Sequence, residues 1–234
     1  MGKLIGIIFI VYISVFALAI LKIFLEFKIS DYRLASNHTF IQTFFNKGHW
    51  GEYKIYSELE KIKGEKRILT NLYLPKKDGS TTEVDIVMIT KFGFFVVESK
   101  NYGGWIFGNE ANRNWTQRFP NKKKSTFFNP IWQNEGHIKA LQETLAITDP
   151  TWMYSLIVFS NRCELKKITL TSPAVNVIKK QQIKRVLKKI TAKGTPVLTP
   201  EEVKQYAQAL EPYTHADEKT KELHIETIKT KLSR

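Results

Sequence analysis

Thr82-Glu-Val-Asp-Ile-Val-Met-Ile-Thr-Lys-Phe-Gly-Phe-Phe-Val-Val-Glu-Ser-Lys100 is the stretch on which the fold turns. Two runs of β-branched and aromatic residues flank a break at Lys91-Phe92-Gly93, the pattern of a β-hairpin. Both runs are mostly apolar, yet Asp85 sits in the first and Glu98 and Lys100 in the second. With Lys91 and Phe92 as a two-residue turn, pairing outward from Thr90 and Gly93 places Asp85 directly across from Glu98. Facing carboxylates repel each other and are costly to strip of water. A divalent cation between them would remove that penalty. Lys100 follows Glu98 by two residues, so the period of a strand puts both on one face. Two acids and a lysine on one patch of sheet are reagents for metal-dependent hydrolysis.

The rest of the composition narrows the partners. The chain has 234 residues and a formal charge of +14, from 36 Lys and Arg against 22 Asp and Glu. That length suits one domain with an accessory segment. The excess of cations favours nucleic acid or an anionic lipid surface. Cys163 is the single cysteine, which excludes an internal disulfide framework. The histidines (His38, His49, His137, His215, His224) are scattered and form no zinc spacing.

Along the chain, residues 1–25 read as a transmembrane anchor, with the apolar run from Leu4 to Leu25 long enough to cross a bilayer. A cleaved signal peptide ending near Ala17-Leu18-Ala19 is the rival reading. Ile20, Leu21, Ile23, Phe24 and Leu25 carry the apolar character past that point and argue for retention. Lys22, Lys28, Arg33 and Lys47 follow the helix while Lys3 precedes it, so the positive-inside rule predicts a single-pass protein of the cell membrane with its C-terminal bulk in the cytoplasm. Residues 26–46 form a mixed connector. Residues 47–147 hold the core, opening on a helix with Tyr53, Ile55, Tyr56, Leu59 and Ile62 at helical spacing. A strand from Arg67 to Leu74, the hairpin, short strands at Trp105–Gly108 and Asn114–Arg118, a basic loop at Asn121–Lys124 and a helix from Asn129-Pro130 to Leu145 follow. On that last helix Gln133 and His137 share a face. Residues 148–212 read as an α/β extension completing the domain, and 213–234 as a charged helical tail.

Hydrolysing a phosphodiester needs an activated water and a means to stabilise negative charge on phosphorus; a metal held by carboxylates supplies both, and a nearby lysine orients the water or steadies the charge. Asp85 and Glu98 are the candidate ligands and Lys100 the water-positioning group, with Glu52 joining them if its helix packs over the hairpin. Hard oxygen ligands favour Mg2+, with Mn2+ as a substitute.

These residues carry a resemblance. Gly48-x-x-Gly51-Glu52, Thr82-Glu83-Val84-Asp85-Ile86-Val87, Phe95-Val96-Val97-Glu98-Ser99-Lys100-Asn101-Tyr102-x-Gly104 and Asn129-Pro130-x-x-Gln133 stand in this order over about Gly48 to Leu145. Together they resemble a nuclease-related (NERD) domain of the PD-(D/E)xK nuclease superfamily. The resemblance implies an α/β fold with a restriction-endonuclease-like core, a mixed central β-sheet flanked by helices, here following one N-terminal transmembrane helix. It implies that Glu52, Asp85, Glu98, Lys100 and Gln133 are the active-site positions. The metal would be held by Asp85, Glu98 and the backbone carbonyl of Ser99. Ser99 replaces an apolar residue usual between the acid and the lysine, and His137 stands where related nucleases often have a tyrosine.

The function expected is a membrane-anchored, Mg2+-dependent nuclease acting on DNA in preference to RNA. The alternative is a non-catalytic nucleic-acid-binding or membrane scaffold protein that keeps the nuclease fold. Lys122, Lys123 and Lys124, with the basic run Lys179 to Lys189, are candidate phosphate contacts.

Overall fold

The computed structural model describes residues 2–232, so residues 233 and 234 of the expected charged tail lie outside the described residues. The hairpin forms in the expected register. β2 (Thr81–Thr90) and β3 (Gly93–Lys100) run antiparallel, paired from Thr90 with Gly93 to Ile86 with Val97. Gly93 has φ 108° and backs directly onto the Trp152 carbonyl, where a Cβ would collide with the oxygen. Only glycine combines that torsion with that approach.

β1 (Lys66–Pro75) pairs with the outer edge of β2, while β7 (Met153–Phe159) and then β9 (Val175–Lys179) add in parallel to β3. The result is a five-stranded mixed sheet in the order β1-β2-β3-β7-β9. Phe94 to Val97 are buried on both faces, as a central strand covered by helices requires. On one side α4 (Lys47–Glu60) and α6 (Ile183–Lys193) bring Tyr53, Leu59 and Leu187 against Met88, Phe95 and Val97. On the other, α5 (Pro130–Leu145) and α7 (Pro200–Leu210) bring Leu141 and Val203 against Ile89, Phe94 and Val96. These are the expected helix, sheet and helix layers.

One position breaks the alternation. Val84 packs with the α5 and α7 core, whereas Ile86, two residues on, packs with the α4 core. Between them the β1–β2 ladder omits Asn71 and Asp85, and Asn71 is left-handed at φ 53°. The strand therefore changes its facing at Asp85.

A second, four-stranded sheet was not read from the sequence. It consists of β4 (Gly104–Asn109), β5 (Asn114–Arg118), β6 (Lys124–Phe128) and β8 (Cys163–Thr169) in the order β6-β5-β4-β8. Lys124, expected in a loop, is the first residue of β6. β6 and β8 are largely exposed and lysine-bearing, so no apolar alternation marks them; pairing with β5 and β4 makes them strands. Ile106, Trp115, Ile131, Phe159 and Cys163 form the core beneath this sheet. Glu110 ties its far end down. One carboxylate oxygen accepts from the Thr171 and Ser172 amides at 2.5 and 3.0 Å and from the Thr171 hydroxyl at 3.0 Å.

The N-terminal helix α1 spans Gly2–Ile29, longer than the expected anchor. Its stretch from Lys3 to Ile29 is long and apolar enough to cross a membrane, by length and composition. Its last two turns behave differently from the rest: Phe27 is buried, with its ring 5.2 Å from Tyr53, 5.5 Å from Phe40 and 6.2 Å from Tyr32. Tyr32 opens α2 (Tyr32–Ser36), Phe40 opens α3 (Phe40–Phe45), and α8 (Glu218–Leu232) ends the described chain. The connector after the anchor is thus an aromatic joint.

Phe27→Ala should lower stability by about 3 kcal/mol in urea melts of the detergent-solubilised chain, through loss of a buried aromatic. A truncation starting at residue 30 should show the same loss. Hydrogen bonds from Ser172 and Thr171 hold the Glu110 carboxyl down at about 2, against 4.5 for the free group. Its contribution is therefore fully present above pH 4.5 and is lost as pH falls through about 2. Glu110→Gln should cost about 1–2 kcal/mol at neutral pH, from lost charge-assisted bonds. The gap from wild type should close as the pH approaches 2, the folded value of the carboxyl.

Candidate active site at the fork of the hairpin

Beyond Ile86 and Val97 the two hairpin strands part, and the chemistry gathers in the fork. Asp85 does not stand squarely against Glu98 there. Its Oδ2 reaches along the opening and accepts from the Ser99 amide at 2.7 Å. Glu98 points to the α5 side and is 1% exposed. Its Oε1 lies 2.5 Å from Lys100 Nζ, as the strand period predicts. Lys100 also donates to Gln133 Oε1 at 3.0 Å.

The second Glu98 oxygen is held by His137, whose Nε2 is 3.0 Å away. Ionised Glu98 can only accept, so the Nε2 proton points at it, and Nδ1 faces the Thr82 hydroxyl at 2.9 Å. Gln133 and His137 are one turn apart on α5, which sets both over the polar end of β3. The start of α5 is pinned by Asn129, whose Oδ1 caps Ile131 while its Nδ2 donates to the Glu110 and Asn112 carbonyls at 2.9 and 2.8 Å. His137, which was not among the expected site residues, is brought against Glu98 by the structure. Its one-turn spacing from Gln133 was the available signal.

Glu52 comes from the first turns of α4. The Tyr32 hydroxyl is within reach of its Oε2 at 3.4 Å and of the His49 carbonyl at 3.3 Å. Burial, then the charges of Glu83 and Glu98, push the Glu52 carboxyl up to about 8. Burial, then Glu98 and Glu52, push Asp85 well above the usual carboxylate range. Burial would raise Glu98 too, but Lys100 and then His137 outweigh it and hold that carboxyl below its ordinary value. Burial opposes the Lys100 charge, and Glu98 and Asp85 overcome it, so Lys100 is an ammonium.

Asp85 and Glu98 thus lie near one ammonium, with Glu52 close enough for its charge to raise Asp85, and a hard divalent ion would favour the ionised form of both ligands. Among the described residues no three acid, histidine or cysteine side chains converge into a ready cage. An ion here would draw on Asp85, Glu98 and the Ser99 carbonyl and complete its shell with water, a coordination that Mg2+ accepts readily. Lys122, Lys123 and Lys124 lie elsewhere, exposed on the turn into β6. None of them is hydrogen-bonded or ion-paired to the fork residues.

The arrangement defines a class. The nuclease-related domain family, NERD, matches residues 47–160, and the chain belongs to that family. An uncharacterized protein of Bacillus anthracis is 30% identical over 189 residues, covering 80% of this chain and 86% of its own length. No solved structure matches the chain.

A carboxyl whose folded pKa is raised opposes folding at neutral pH, where the unfolded chain would ionise it freely. Asp85→Asn keeps an acceptor for the Ser99 amide and removes that opposition. In chelator it should melt a few degrees above wild type, the shift expected for about 1–2 kcal/mol. Added Mg2+ should raise the wild-type midpoint and leave Asp85→Asn unmoved, because only the native state with both acids gains by binding.

Proposed function

We propose that this chain is a divalent-cation-dependent nuclease hydrolysing phosphodiester bonds of DNA in preference to RNA, held at the cell membrane by α1 with its body in the cytoplasm. The observation that carries the proposal is the Lys100 ammonium, held between Glu98 and Gln133 in the fork where Asp85 turns inward. Asp85, Glu98 and the Ser99 carbonyl would hold Mg2+, or Mn2+ in its place. Such an ion supplies a water ionised near neutral pH and neutralises charge building on phosphorus.

The protein groups do the rest. Lys100, kept charged by its neighbours, steadies the non-bridging oxygens or orients the attacking water. Gln133 fixes the ammonium against rotation. His137 occupies the remaining Glu98 oxygen, so the carboxylate keeps one orientation. Glu52, whose carboxyl burial and the charges of Glu83 and Glu98 push up to about 8, adds its own charge to those that raise Asp85. Lys22, Lys28, Arg33 and Lys47 on the body side of α1 support the cytoplasmic placement.

The full chain in detergent should nick plasmid DNA with Mg2+ and not with chelator. Glu98→Ala and Lys100→Ala should each lower the rate by at least about a hundredfold, the scale of losing one electrostatic or acid–base partner, while retaining a cooperative melt. A folded wild-type preparation that cuts no DNA or RNA with Mg2+ or Mn2+ would sink the proposal.

A further inference from the structure

Helix α4 separates two openings that differ in sign. One, a cavity of about 550 Å³, is lined by His38, His49, Glu52, Glu83, Asp217 and Glu218, with Lys221 its one lysine or arginine. The other, about 200 Å³, runs along β3 and β7 from Ser99 and Lys100 to Lys54, Arg162 and Lys180, and no acid lines it.

We propose that the second opening is a phosphate subsite for a nucleic-acid strand, with Lys54, Arg162 and Lys180 as its cations. It rests on the nuclease reading in one respect: the phosphate it holds neighbours the one attacked at Lys100.

The groove is built before any ligand arrives. Arg162 Nη2 donates to the Asn101 carbonyl at 2.8 Å and to its side-chain oxygen at 2.9 Å, which fixes the guanidinium at the rim. Asn101 in turn donates through its amide to the Lys47 carbonyl. Gly51 permits this closure, because a Cβ there would lie 2.8 Å from the Asn101 Cβ. On the facing wall Lys54 lies 4.5 Å from the Trp50 ring centroid. Burial and then the charge of Lys180 draw the Lys54 ammonium below its usual value, with Glu26 and Glu58 offsetting part of that effect from outside the lining. The nearest acid to Lys180 is Glu58, at 3.8 Å and outside the lining. An anion between the two ammonium groups relieves their repulsion. A space of about 200 Å³ is on the scale of one phosphate and part of its sugar. Ser99 and Lys100, at the end of the strand that carries Glu98, line the opening beside Val158 of β7, which sets it next to the fork.

The test is fluorescence anisotropy of a labelled single-stranded oligothymidylate on the full chain in detergent, in chelator so that cutting is not required. The Lys54→Gln/Arg162→Gln/Lys180→Gln variant should bind at least about tenfold more weakly. Its plot of log affinity against log salt should be shallower by about 0.7 for each phosphate that no longer meets a cation. Lys204→Gln, an exposed lysine on α7, should change neither, and the charge-keeping Lys54→Arg/Lys180→Arg variant should retain most of the affinity. If the triple variant loses its melting transition through the Arg162 tie to Asn101, the Lys54→Gln/Lys180→Gln pair decides.

Unchanged affinity and slope in the folded variant overturn the subsite. So does a variant that loses binding only to phosphatidylglycerol vesicles, which would make the groove a headgroup site. A wild type that binds through these residues but never cuts leaves the subsite standing and removes the nuclease reading. A triple variant that cuts with unchanged KM does the reverse.

Discussion

The Lys100–Glu98 pair sets the terms for everything around it. A buried ion pair is worth little unless its remaining donors and acceptors are satisfied, and removing one partner leaves a charge with no compensation. Here Gln133 takes another ammonium proton and His137 the second carboxylate oxygen. Both come from α5, so α5 must start at a fixed residue and lie at a fixed height over β3. Asn129 and Pro130 meet that need: one caps the helix and ties it to the 109–112 turn, and the other opens it. The parallel pairing of β3 with β7 holds the strand end rigid through Lys100.

Asp85 and Glu52 stand outside that settlement. Neither has a cation of its own, and both hold their protons well into the range where free carboxyls have lost them. Sites that bind or react commonly keep such an imbalance at the expense of stability. The break in strand alternation at Asp85 belongs to the same account, since a residue following the strict period would not turn its carboxylate toward the Ser99 amide. The polarity of the two openings beside α4 continues it. One is lined by Glu52, Glu83, Asp217 and Glu218, the other by Lys54, Arg162 and Lys180.

Much of this was legible. The turn Lys91-Phe92-Gly93 and the runs on either side fixed the register of the hairpin, and with it the shared face of Glu98 and Lys100. Asn129-Pro130 marked the start of α5, and the family resemblance pointed to Gln133, which the structure sets against Lys100. The failures have physical causes. Asp85 shifted from Glu98 to the Ser99 amide because strands that diverge no longer obey ladder pairing. Of the second sheet β4 and β5 were legible as strands, but β6 and β8 went unread because they are short and largely exposed, so their identity lies in their partners. Tyr32 gave no local sign at all. Its contact with Glu52 arises from packing between elements twenty residues apart.

That contact bears on how the molecule can move. Phe27 at the end of α1 is packed on Tyr32 and Tyr53, and Tyr32 reaches the Glu52 carboxylate. The link from the apolar helix toward the fork therefore runs through edge-to-face rings, Phe27 against Tyr32 and Tyr53. A displacement of α1 relative to the body would have to break the Phe27 ring contacts, and it would pull on Tyr32 and through it on Glu52.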